Sequence, residues 1–141
     1  MTYALAWPLQ QAVFSTLAAD PGVAAIAPGR IFDAPPPLTG EAESEPPYAV
    51  IGDETVQEWG AADGAGAAHV IGVSIFASER SFAAAKRLAG AICDALLAAD
   101  LAPTRGRVAL VAFLSARTRR EERDRLRRID LRFRVLVEDT A

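Results

Sequence analysis

The chain has 141 residues, of which 51% are hydrophobic, and a net charge of −3. That length suits one domain around one core, and the lone cysteine, Cys93, excludes an intramolecular disulfide and argues against a cysteine-ligated zinc site. No stretch is apolar for long enough to cross a bilayer, and MTYALAWPLQQAVFSTLAAD lacks the basic n-region and continuous apolar core of a signal peptide. The expectation is a soluble cytoplasmic protein, unless it becomes part of a particle.

In chain order, WPLQQAVFSTLAAD reads as a helix, with Pro8 in its first turn and Leu9, Val13, Phe14 and Leu17 at helical spacing. DPGVAAIAPG stops that helix and adds a short turn of helix, and RIFDA fits a short strand. PPPLTGEAESEPP is too polar and proline-rich to pack, which predicts a mobile loop over 34–47. YAVIGDE is a strand, and TVQEWGAADGAGA predicts a second long loop, glycine-rich and carrying Trp59. HVIGVSIFAS is the clearest strand: His69, Ile71, Val73 and Ile75 share one face, and Val70, Gly72, Ser74 and Phe76 share the other. SERSFAAAKRLAGAICDALLAAD is a helix with Ser78 or Ser81 as its cap and Phe82, Ala85, Ala89, Ile92 and Leu96 as its apolar stripe. RVALVAFLSAR and RLRRIDLRFRVLVED are two further strands joined by TRREERD. In the last strand Ile129, Leu131, Phe133, Val135 and Val137 alternate with Arg128, Asp130, Arg132, Arg134 and Leu136, the mark of an antiparallel sheet with one face on the core. This order predicts an α+β fold in a single domain over residues 1–141. Its sheet is mainly antiparallel, with four to five strands and two main helices packed on one face.

Charge is unevenly distributed. Residues 1–104 sum to −8 and residues 105–141 to +5, an asymmetry that suits a molecule meeting copies of itself or other partners through complementary faces. Nine of the eighteen residues from Arg117 to Arg134 are arginine. Three readings stay open for Arg117, Arg119, Arg120, Arg123, Arg125, Arg128, Arg132 and Arg134. They edge a solvated hairpin, they form a protein–protein interface suited to the planar guanidinium fork, or they grip phosphates. Against the last stand Glu121, Glu122 and Asp124, which repel phosphates, and the lack of interleaved aromatics to stack bases.

No catalytic constellation is present. His69, the only histidine, reads as a half-buried structural residue on its strand, and Cys93 as a small core thiol. Asp53, Glu54, Glu58 and Asp63 fall in and beside one loop, without EF-hand spacing. GAADGAGA lacks both the P-loop lysine and the GxGxxG order. No catalytic, metal-binding or cofactor-binding residue is assigned. Trp59 either folds back onto the sheet or anchors a partner.

Several segments in order, PPYAVIGDE (47–54 being the matching part), Trp59 with its glycine-rich loop, HVIGVSIF (69–76), AKRLAGAICDALL (85–97) and RFRVLVE (132–138), carry a resemblance. From Leu9 onward the chain resembles the small tail-terminator (tail-completion) proteins of long-tailed phages and gene transfer agents. The resemblance implies a structural protein and not an enzyme, with no cofactor. It implies a ring, typically of six subunits, that caps the head-proximal end of the finished tail tube and docks the stopper or head–tail connector. DNA would pass through the lumen without sequence reading, and no membrane is involved. The implied setting is the bacterial cytoplasm during assembly and then the particle neck. The interface candidates are then Trp59, Asp53, Glu54, Glu58 and the eight arginines named above, with the loops 34–47 and 53–67 projecting toward tube or connector. The rivals are a stopper or connector of the same particle, a nucleic-acid-binding module using the arginine hairpin, and an enzyme centred on His69 or Cys93.

Overall fold

Period-two alternation over two long segments builds the centre of the molecule. A computed structural model describes residues 3–34, 47–60, 66–78, 82–121 and 126–140, with the side chain of Glu121 left out. The elements run α1 (Ala6–Ala19), α2 (Pro21–Ile26), β1 (Ile31–Phe32), β2 (Tyr48–Glu58), β3 (Gly66–Ser78), α3 (Phe82–Ala98), β4 (Arg107–Glu121) and β5 (Leu126–Glu138). They form one five-stranded sheet in the order β1-β2-β3-β5-β4. All neighbouring strands are antiparallel except β1, which runs parallel to β2. The predicted α+β architecture is the observed one.

The helices pack on one face. Leu9, Val13 and Leu17 of α1 and Leu88, Ile92 and Leu96 of α3 meet Ile71, Val73 and Ile75 of β3 and Leu131, Phe133 and Val135 of β5. Each side chain removed from water in this way contributes roughly 1.5–3 kcal/mol. Between the two long helices, Asp20 accepts a hydrogen bond from the Val23 N–H at 2.9 Å and Pro21 begins the next turn, so α2 starts with a cap and a preset φ. On the opposite face the alternation leaves Thr55, Arg132 and Arg134 exposed.

Three expectations are corrected. Residues 55–67 are not one loop: β2 continues to Glu58, β3 begins at Gly66, and Thr55 and Val56 pair with Val70 and His69. The enabling feature is a β-bulge at Asp53, which has a φ of 39° and no partner between the pairs Gly52↔Gly72 and Glu54↔Ile71. The connection 118–124 is also shorter than expected, because β4 carries its pairing on to Glu121 and β5 begins at Leu126. Phe14, expected on the buried stripe of α1, is 41% exposed, while Leu9, Val13 and Leu17 are buried as expected. Of the proposed caps for α3, Ser78 ends β3 and Ser81 lies outside the described residues. Residues 35–46 of the predicted 34–47 loop, 61–65 of the second loop and 122–125 of the hairpin connection lie outside them as well.

Gly66 shows how closely this sheet end is built. A Cβ there would stand 2.7 Å from the Trp59 carbonyl oxygen and 2.8 Å from that of Val137, both fixed backbone. Gly90 is the opposite case, exposed in the middle of α3 with nothing within 4 Å of an added methyl. In urea or thermal unfolding, Gly66→Ala is expected to destabilise by about 1–3 kcal/mol through overpacking. Gly90→Ala should stabilise by about 0.5–1 kcal/mol, because alanine loses less freedom in a helix.

Candidate assembly site on the open sheet face

The charged residues of three adjacent strands fall on the face away from the helices. Register sets Ser74 of β3 opposite Asp130 of β5, and Asp130 opposite Arg117 of β4, while Arg119 stands opposite Arg128. Asp130 is the hub. Its Oδ1 accepts from the Ser74 hydroxyl at 2.7 Å and from Arg128 Nε at 2.8 Å, and its Oδ2 lies 3.2 Å from Arg119 Nε. Arg128 also donates from Nη2 to Ser74 Oγ at 3.3 Å and lays its guanidinium over the Phe76 ring, 5.1 Å from the centroid. Partial burial alone would raise the Asp130 carboxyl. The hydrogen bonds from Ser74 and Arg128 and the charges of Arg128 and Arg119 together outweigh that, holding it below its ordinary value of 3.8.

Around this hub the sheet curls into an open trough of about 600 Å³. Arg117, Arg119, Arg128 and Arg132 form its β4–β5 wall, and Asp53 and Thr55 of β2 stand on the far side. Arg134 shares the face of Arg132, two residues on, and is exposed. Five of the eight arginine candidates are thus brought together: Arg117, Arg119, Arg128, Arg132 and Arg134. Arg120 is exposed on β4 but opposite Arg127, on the alternate face, and Arg123 and Arg125 lie outside the described residues. Two of the five, Arg119 and Arg128, are engaged with Asp130, which leaves a smaller cationic surface than the letter count suggests.

The acidic candidates separate. Asp53 is exposed at the bulge and Glu58 is exposed at the end of β2. The bulge turns Glu54 to the helix side, where its Oε2 receives the Nδ1–H of His69 at 3.0 Å. His69 is fully buried, further in than the sequence suggests, and its Nε2 has no hydrogen-bond partner. Trp59 is half-buried, and its backbone N–H donates to the Gly66 carbonyl at 3.3 Å. Cys93 is half-buried too, and burial, then the charge of Asp94, raises its thiol pKa, so it carries little of the reactive thiolate. Among the described residues, no group of three or more His, Cys, Asp or Glu side chains could hold a metal ion, and no helix is long and apolar enough to cross a membrane. Sequence reasoning missed Ser74 and Asp130 as the hub. The available signal was an acid placed among arginines on the charged face of β5.

These features define a charged sheet face organised around one hydrogen-bonded carboxylate. The chain belongs to the family of the tail completion protein gp17, whose sequence pattern it matches over residues 11–138, and it is therefore a structural tail protein. It is also similar to a chain solved in the virion of a native gene transfer agent particle. The two share 42% identity and a TM-score of 0.85, over 97% of this chain and 99% of that one. No curated protein matches it.

Two outcomes test the site. Removing the Glu54 carboxylate strands both ring nitrogens of a buried histidine, so Glu54→Ala is expected to cost about 1–3 kcal/mol in urea unfolding. The pKa of Asp130 is lower in the folded state. Its contribution is therefore complete above the ordinary carboxyl value of 3.8 and is lost as pH falls through the folded value. Asp130→Asn should be less stable than the parent at neutral pH, with the gap closing in acid.

Proposed function

We propose that this protein forms a ring, hexameric by analogy with the family it resembles, that terminates the tail tube and joins it to the head connector. The observation that carries the proposal is the match across nearly the whole chain to a subunit of a gene transfer agent virion. Family membership over residues 11–138 supports it. Its partners are then further copies of itself, the tail tube protein and the stopper or head–tail connector. It assembles in the bacterial cytoplasm and ends in the neck of the particle. DNA crosses the lumen without base reading. The exposed Arg132 and Arg134 suit loose contact of that kind, because guanidinium groups on one face meet phosphates without selecting sequence.

The binding-module rival needs the arginines free for phosphate, and the ties of Arg119 and Arg128 to Asp130 weigh against it.

Electron microscopy of particles from producing cells with the gene deleted tests the proposal. Overlong, unjoined tubes beside DNA-filled, tailless heads are expected. Emptied heads beside tubes of normal length would make the protein a stopper instead. Intact particles would end the tail reading.

A further inference from the structure

Among the described residues, clusters of exposed apolar side chains lie at opposite edges of the sheet. At the β1 edge, Trp7 is 61% exposed and Phe14, seven residues along on the same side of α1, stands with it. Together with Ile31 and Phe32 they line a groove of about 460 Å³ whose rim carries the exposed carboxylate of Asp33. The neighbouring cation, Arg30, is turned inward, donating from Nε to the Pro47 carbonyl at 3.0 Å and from Nη2 to that of Ile26 at 3.1 Å.

At the other edge β4 is the last strand of the sheet order. A bulge between Phe113 and Ser115 leaves Leu114 without a partner on β5 and 46% exposed, beside Phe113 at 45%. Leu110, on the same strand, is also exposed. Edge strands of soluble proteins are ordinarily guarded by charge, since their outer backbone groups can pair with another chain. From Arg117 onward β4 has that protection, but the stretch from Leu110 to Leu114 does not.

We propose that neighbouring copies of this chain meet head to tail, with the β4 edge at Phe113 and Leu114 of one copy seated in the Trp7–Phe14 groove of the next. Charge complements this arrangement: three residues beyond Leu114 the edge carries the exposed Arg117, and the rim of the groove carries the exposed Asp33. Because the two surfaces differ, the contact repeats from subunit to subunit and closes into a ring when the rotation allows. This inference rests on the ring proposed above and assigns the surfaces that make it.

Cysteine crosslinking within particles tests it. On a Cys93→Ser background, Gln11→Cys marks the exposed rim of the groove and Leu114→Cys marks the edge. With a short bis-maleimide, neither single-cysteine chain should crosslink to itself, a mixture of the two should give dimers, and the double variant should give a ladder ending at the ring number. Crosslinking within either single variant, or no ladder from a double variant that assembles normal particles, would overturn the contact. If the double variant does not assemble, Asp33→Arg and Arg117→Asp, both at exposed sites, replace it. Each reversal alone should lose tailed particles and the pair should restore them, whereas harmless single reversals or an absent rescue would overturn the contact. These outcomes are separable from the tail assignment: intact particles after gene deletion defeat that assignment, while normal particles without a ladder defeat only this contact.

Discussion

The antiparallel pairing of β3 with β5 is the constraint on which the rest depends. All thirteen residues of β3, Gly66 to Ser78, pair in unbroken register with the thirteen of β5, Glu138 to Leu126. Because side chains alternate strictly along a strand, that register commits Ile71, Val73, Ile75, Leu131, Phe133 and Val135 to the helices. The same register sends Ser74, Asp130, Arg132 and Arg134 to the other side. A slip of one residue would bury the arginines and expose the core. The apolar face sets the register, and the charged face follows from it without needing stability of its own.

The flanking strands are less regular, and their irregularities change which side chains face outward. The bulge at Asp53 shifts β2 by one residue, so that Glu54 turns inward to His69 and Asp53 outward. The bulge at Leu114 does the same for β4, releasing an apolar side chain at the open edge. These shifts, and a third at Ala109 of β4, sit on strands next to or at the sheet margin, where an extra residue disturbs few neighbours. The centre of the sheet is regular and buried, and its margins carry the irregular, exposed side chains.

This division explains what the sequence discloses. The alternation in 69–76 and 128–137 is unbroken, so the faces of β3 and β5 are readable directly, and the heptad-like spacing of α3 likewise. Alternation fails as a guide wherever an extra residue intervenes. Continued through Ile51, it would place Asp53 toward the helices and Glu54 away, the reverse of the observed faces. The glycines and alanines after Trp59 read as loop, although Thr55, Val56 and the residues from Gly66 onward pair as strands. Arg119 looks like a free cation because its partner, Asp130, is supplied from the neighbouring strand, whereas Arg128 reaches the same carboxylate from two residues away on β5. Trp7 carried no signal beyond its place at the start of a helix, and its exposure is visible only once α1 is docked.

His69 and Cys93, the residues that would draw attention in an enzyme, are committed to packing, while exposed groups accumulate on the open face and at the two sheet edges. Such an arrangement suits the structural tail protein that family membership makes this chain. The central claim, a ring at the head-proximal end of the tail tube, is tested most directly by cryo-electron microscopy of the neck of intact particles. A closed ring into which this chain fits, lying between tube and connector, is the expected result. Density for the chain at the distal end of the tail or on the capsid shell, with none at the neck, would contradict it.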